Sequence, residues 1–178
     1  PTASIAGSTA KESDTANAII SLSAASGKTI IVDYSVNESN SAEAISDFIP
    51  VASSVTFAPG ETQKTISIDL VDDFVKEPSE SFIVQLGGAI NANIGSNSSA
   101  DITIEDDDLP PTISISDSSA LEDAGSVNLT LALSNPSSES VSVDLARSNG
   151  TALNNIDYST YSATLVFSPG EISKSISI

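Results

Sequence analysis

The sequence FAPGETQKTISIDL, residues 57–70, contains a tight turn followed by a strand pattern. In the turn, Pro59 presets φ and Gly60 supplies a positive φ. After the turn, Ile66 and Ile68 alternate with polar residues, so that apolar side chains fall on one face of the chain and polar side chains on the other. This period of two predicts a half-buried β-strand.

The same alternation returns along the chain, and no stretch holds a sustained helical pattern. We predict strands near Thr2–Ala6, Ala18–Ala24, Thr29–Val36, Ser53–Phe57, Lys64–Val71, Ser81–Leu86 and Ala100–Glu105. Seven short strands separated by turns are typical of an all-β, immunoglobulin-like antiparallel β-sandwich.

The chain contains two tandem copies of this unit. The segment FSPGE, residues 167–171, repeats residues 57–61, and Asp47-Phe48 returns as Asp157-Tyr158 at the same offset. We predict a complete first repeat over residues 1–108, a linker over 109–111 and a second repeat over 112–178. The second repeat stops at the counterpart of Ile68 and so lacks the last two strands. We therefore expect the natural chain to continue past this point.

The composition excludes several classes of function. Asp and Glu number 24 against 6 Lys and Arg, which gives a net charge of −18 and disfavours nucleic acid or anionic membrane as a partner. The absence of His and Cys removes the usual nucleophilic triads and zinc sites, and we expect no enzymatic activity. Hydrophobic residues at 39% nevertheless suffice for a core, and no apolar run is long enough to insert into a membrane.

The acidic residues are concentrated in particular loops. In a sandwich with alternating strand direction, the loops after the first, third and fifth predicted strands open at one end, where the seventh strand also finishes. We call this end the acidic pole. The acids expected there are Glu12, Asp47, Asp72, Asp73, Glu77, Glu80, Asp106, Asp107 and Asp108. Their mutual repulsion favours bound cations, and calcium, which takes 6–8 oxygen ligands, fits better than magnesium. The number of carboxylates predicts about two to four calcium ions.

The chain resembles the Calx-beta domain family over the whole first repeat and over the part of the second repeat that is present. The resemblance is carried by Asp47-Phe48, Phe57–Glu61, Lys64-Thr65-Ile66, the run Asp72-Asp73…Glu77…Glu80, and Ile104–Asp108. It implies that the nine acids of the pole ligate a cluster of calcium ions, together with the backbone carbonyl of Val75. The family occurs in the regulatory loops of sodium/calcium exchangers and in long bacterial surface proteins.

These observations predict a non-catalytic, calcium-binding structural module in a secreted or cell-surface protein, bacterial and adhesin-like, in which calcium stiffens the end next to the linker. Its partners would be calcium, neighbouring repeats of the same chain and a glycan or protein ligand. A calcium-sensing regulatory domain of a transporter and an adhesin module that binds a glycan or protein are the alternatives. The second repeat keeps Glu122 and Asp157, and we expect no metal there. Two aromatic residues near the acidic pole, Phe48 and Phe74, are expected to pack in the core.

Overall fold

The computed structural model describes residues 1–38, 41–148, 150–153, 156–159 and 162–178. These residues form two compact units. The first comprises Pro1–Asp73 and Pro78–Asp107, and the second comprises Phe74–Glu77 and Asp108–Ile178. Across the described ranges we find no helix whose length and hydropathy would let it cross a bilayer.

Within its described residues the first unit contains nine strands. They are β1 (Thr2–Ala6), β2 (Thr9–Lys11), β3 (Thr15–Leu22), β4 (Ile30–Asn37), β5 (Ala52–Phe57), β6 (Gln63–Asp69), β7 (Glu80–Ile90), β8 (Asn93–Ile94) and β9 (Ser99–Glu105). One sheet has the order β6-β3-β1-β8 and the other has the order β2-β9-β7-β4-β5. The predicted all-β sandwich is confirmed.

A single core of small aliphatic residues and phenylalanines lies between the two sheets. In β3, Ala16, Ala18 and Ile20 are fully buried and alternate with exposed residues. Phe57 and Phe82 are also fully buried. Because one face of each sheet turns toward this core, the sequence shows the period of two.

The first predicted strand corresponds to β1, and the strand that follows it, β2, lies outside the prediction and belongs to the other sheet. β1 pairs with β3, whereas β2 pairs in parallel with β9. Gly7 lies between them, where a Cβ atom would come within 2.0 Å of the backbone oxygen of Asp101. The chain can pass this close to β9 only without a side chain, so Gly7 permits the change of sheet.

Two other strands differ from the prediction. β3 begins at Thr15 rather than Ala18, because small alanines extend the buried face. β7 continues beyond Leu86 to Ile90. Its two glycines, Gly87 and Gly88, both lie opposite Asp33 of β4, and this bulge in β7 shifts the register. The sequence does not predict the short β8, because two residues are too few to show an alternation of apolar and polar side chains.

The turn at Pro59-Gly60 and its counterpart at Pro169-Gly170 both place glycine at a positive φ. Gly60 and Gly170 have φ angles of 91° and 73°. The Glu61 carboxylate accepts a hydrogen bond from the Ala58 amide at 2.7 Å and another from the Lys64 ammonium at 2.9 Å. The hydrogen bond from Lys64 lowers the pKa of Glu61 below its ordinary value, with a further contribution from the Ala58 amide.

The second unit contains five strands and one short 3₁₀ helix within its described residues. The strands are β10 (Ile113–Ile115), β11 (Asn128–Leu133), β12 (Val141–Ala146), β13 (Ser162–Phe167) and β14 (Ser173–Ser177), and the helix is Glu122–Ala124. They form a sheet of order β10-β11-β14 and a two-stranded antiparallel sheet of β12 and β13 around Leu131, Leu133, Phe167 and Ile176.

The second unit buries its apolar residues less completely than the first. Ile115 is 51% exposed, whereas Ile5, at the corresponding position of the first repeat, is 5% exposed. In the first unit β7 and β9 belong to the five-stranded sheet opposite β1, and the described part of the chain contains no strand after β14 to take their place.

Candidate metal centre

Three separate segments of the first unit bring carboxylates together at the acidic pole. Glu12 follows β2, Asp72 follows β6, and Asp107 follows β9. One carboxylate oxygen from each residue lies within 4.8 Å of the other two. The Glu12 amide donates to the Glu105 carbonyl at 3.1 Å, which extends the β2–β9 pairing to the edge of the site. Sequence reasoning placed these three acids at one end of the sandwich, and the structure brings them together.

The spacing and chemistry of these oxygens fit a calcium ion. Two oxygens that each lie ~2.4 Å from one ion are separated by at most ~4.8 Å. The donors are all carboxylate oxygens, which calcium prefers. Glu12 is only 6% exposed, and carboxylates are seldom buried to this degree unless they are paired or coordinate a metal. The arrangement would therefore hold a hard divalent cation through Glu12, Asp72 and Asp107.

Other predicted ligands of the first unit lie in two further pairs. An oxygen of Asp73 lies within 4.8 Å of an oxygen of Glu12, and an oxygen of Asp47 lies within the same distance of one of Glu80. Asp106, the last predicted ligand within this unit, is half-buried after β9.

The loop that carries Asp47 is anchored by aromatic packing. Phe48 is fully buried and stacks on Phe82 of β7 with 4.3 Å between ring centroids. The Asp47 carboxylate accepts a hydrogen bond from the Glu43 amide at 2.5 Å, and the Asp47 amide donates to the Glu43 carbonyl at 3.0 Å. These contacts fix Asp47 relative to the strand that begins at Glu80.

The same loop contains an unusual backbone conformation. Ile45 has a φ of 76°, in the left-handed region that β-branched residues rarely adopt, and its side chain is 75% exposed. The Ile45 amide donates to the Phe48 carbonyl at 2.8 Å, so the strained residue lies within the turn that presents Asp47.

Three further predicted ligands belong to the second unit: Val75, Glu77 and Asp108. Their roles as calcium ligands stay predictions. Phe48 packs in the core as expected. The prediction for Phe74 is wrong, because its side chain is 79% exposed. A single aromatic residue within an acidic loop gives no period from which burial could be judged.

Sequence reasoning missed two partners of Asp107. The Ser13 hydroxyl donates to Asp107 Oδ2 at 2.8 Å, and Lys11 Nζ lies 3.9 Å from the same oxygen. Both residues flank Glu12 in the sequence, and their role depends on the parallel pairing of β2 with β9, which the sequence pattern does not show.

In the second unit, Glu122 and Asp157 occupy the positions of Glu12 and Asp47 in the repeat. Glu122 lies in the 3₁₀ helix, and the Asp157 carboxylate accepts a hydrogen bond from the Leu153 amide at 2.8 Å. Among the described residues, neither belongs to a group of three acids with oxygens within 4.8 Å of one another.

Comparison with known proteins identifies the family. The model of the Calx-beta domain matches residues 7–108 and 106–178. Sodium/calcium exchanger 1 of Canis lupus familiaris is 37% identical over 98 residues, which cover 45% of this chain and 10% of the exchanger. The human extracellular matrix organizing protein FRAS1 is 31% identical over 149 residues, which cover 75% of this chain and 4% of that protein.

Solved structures show the same fold. The crystal structure of the calcium binding domain CBD12 of CALX1.1 matches with a TM-score of 0.56 and 21% identity, covering 98% of this chain and 74% of that chain. The apo-form Calx CBD1 domain matches with a TM-score of 0.51 over 61% of this chain and 100% of that chain. The chain spans a tenth or less of the length of sodium/calcium exchanger 1 and of FRAS1. The chain belongs to the Calx-beta domain family, whose model matches it in two consecutive segments.

Proposed function

We propose that the first repeat binds calcium at the acidic pole and that calcium stabilises this repeat. The observation that carries the proposal is the approach of Glu12, Asp72 and Asp107 to within 4.8 Å from three different segments. Membership of the Calx-beta family supports it. Further ligands are proposed from the pairs described above and from the sequence: Asp47, Asp73, Val75, Glu77, Glu80, Asp106 and Asp108.

Calcium would act by linking segments that otherwise repel one another. Carboxylate oxygens from the segments after β2, β6 and β9 would coordinate the same ion. These segments could then separate only if the calcium ion were released. A ligand at about 100 times its Kd that binds only the folded state adds roughly 2.7 kcal/mol to the free energy of unfolding. For a unit of this size, that corresponds to a melting temperature higher by about ten degrees or more.

The direct test is calorimetry of the 178-residue chain in excess calcium and in EDTA. We expect a higher melting temperature in calcium, with a smaller increase in magnesium at equal concentration because magnesium requires octahedral geometry and retains its waters. Hydrogen exchange should slow in residues 12–14, 72–73 and 105–107, whereas the turn at 58–61 should be unaffected. A melting temperature that is the same in both media would refute the proposal.

The role we propose is a non-catalytic structural module in a series of repeats of a secreted or cell-surface protein. One support is FRAS1, a relative described as an extracellular matrix organizing protein. Another is the sequence of the linker over residues 109–111, in which two prolines restrict the backbone. In such an array, calcium would stiffen the end of the repeat that leads into the linker.

The identity to sodium/calcium exchanger 1 favours a second candidate, a calcium-sensing regulatory domain. The two roles differ in affinity. A structural site outside the cell is filled with a Kd of about 0.1–1 mM, whereas a cytosolic sensor requires about 0.1–10 μM. A calcium titration of the chain by isothermal calorimetry separates them, since micromolar binding would favour the sensor and millimolar binding the structural module.

A further inference from the structure

A lysine lies beside the candidate metal centre. Lys11 Nζ is 3.9 Å from Asp107 Oδ2, and the same oxygen accepts the Ser13 hydroxyl at 2.8 Å. Between them in the sequence, Glu12 supplies a buried carboxylate within 4.8 Å of an Asp107 oxygen. Three consecutive residues therefore place an ammonium, a carboxylate and a hydroxyl around one aspartate.

The position of Lys11 is fixed by the backbone. Lys11 is the last residue of β2 and lies opposite Glu105 in the parallel pairing with β9. Asp107 follows two residues beyond Glu105. Because β2 and β9 run in the same direction, the residues that leave the two strands remain neighbours at the acidic pole.

We propose that Lys11 is a resident counter-ion of Asp107 that competes with calcium and lowers the calcium affinity of the site. This inference rests on the proposed function. In the absence of calcium, the ammonium offsets part of the repulsion among the three acids. A calcium ion bound to Asp107 would repel the ammonium. Since the Lys11 side chain is 57% exposed, it can turn into solvent when the ion binds.

The fold does not require a lysine at this position. The second repeat has Leu121 at the corresponding position, where it is 78% exposed. A substitution of Lys11 should therefore leave the first unit folded, and its effect can be measured on calcium binding.

The test compares Lys11→Gln with Lys28→Gln in the 178-residue chain. Both variants remove one positive charge, and both lysines are exposed on the surface, but Lys28 lies in the loop between β3 and β4. Calcium binding is measured by isothermal calorimetry at low salt and at 0.5 M NaCl, and calcium release is measured by stopped flow with a fluorescent chelator.

We expect Lys11→Gln to lower the half-saturating calcium concentration about two- to fivefold, which corresponds to about 0.4–1 kcal/mol for an exposed ion pair. Lys28→Gln should produce a much smaller change, and Lys11→Arg should resemble the wild type. The difference between the two glutamine variants should shrink at 0.5 M NaCl, because salt screens the ion pair.

Equal shifts for Lys11→Gln and Lys28→Gln would overturn the inference, since only net charge would then matter. A weaker calcium affinity in Lys11→Gln would also overturn it, because Lys11 would then support the site. Both results leave the proposed function intact. Absence of saturable binding in the wild-type chain would instead refute the proposed function, and this inference with it.

Discussion

Replacement of Asp72 by Asn should have opposite effects on stability with and without calcium. Without calcium, Asp72 repels both Glu12 and Asp107, whose oxygens lie within 4.8 Å of its own. Removal of its charge should therefore stabilise the metal-free protein. With calcium, the variant loses a ligand and should gain less stability from the ion than the wild type does.

The structure gives the size of the effect in EDTA. Two unit charges at 4.8 Å repel by about 0.9 kcal/mol at a dielectric constant of 80. Asp72 takes part in two such pairs, so its neutralisation relieves about 1.7 kcal/mol before screening. At physiological ionic strength the Debye length of about 8 Å reduces this to about 1 kcal/mol, or an increase of about 4–8 °C in melting temperature.

The assay is calorimetry of the wild type, Asp72→Asn and Asp33→Asn in EDTA and in excess calcium. Asp33 is exposed in the middle of β4, so its substitution makes the same change in net charge away from the acidic pole. We expect this control to follow the wild type in both media. If Asp72→Asn lowers the melting temperature in EDTA and keeps the full calcium response, the site described here is wrong.

Two other predictions concern loops of the first unit. Ile45→Asn should raise the free energy of unfolding by about 1 kcal/mol, because asparagine tolerates the positive φ and the exposed side chain contributes little packing. The second repeat has Asn155 at the corresponding position of the sequence. Urea unfolding tests the prediction, with Ile45→Val as the control that should give no gain in stability. Glu61→Gln should make stability less dependent on pH at the acid end. The lowered pKa of Glu61 means that its contribution is present above the ordinary glutamate pKa of about 4.3 and is lost as the pH falls through the folded value. Urea midpoints from pH 3 to 7 check this, and parallel curves for variant and wild type would contradict it.

The alternation of apolar and polar residues was sufficient to predict the sandwich, because each long strand buries one face. It could not predict β2, whose three residues carry no period and whose place depends on the close approach of Gly7 to Asp101. The convergence of Glu12, Asp72 and Asp107 followed from strand direction alone, since loops at one end of an antiparallel sandwich meet whatever their separation in sequence. The neighbours of those acids, such as Lys11, depend on register, which the sequence pattern does not specify.

The structure also indicates which part of the acidic pole depends most on calcium. Glu12 is held by the pairing of β2 with β9, and Asp47 is held by Phe48 stacked on Phe82. Asp72 lies instead in residues 71–73, which follow β6 and belong to no strand. The Val71 amide donates to the Asp47 carbonyl at 3.0 Å, but Asp72 itself lies outside the described strand pairings, such as the one that fixes Glu12. Calcium bound by Asp72 and Glu12 would supply the missing constraint, so its binding should slow hydrogen exchange more in residues 72–73 than in residues 47–49. Equal protection of the two segments would mean that the ion orders the whole acidic pole uniformly. That result would contradict the inference that the stack of Phe48 on Phe82 already holds Asp47 in place without calcium.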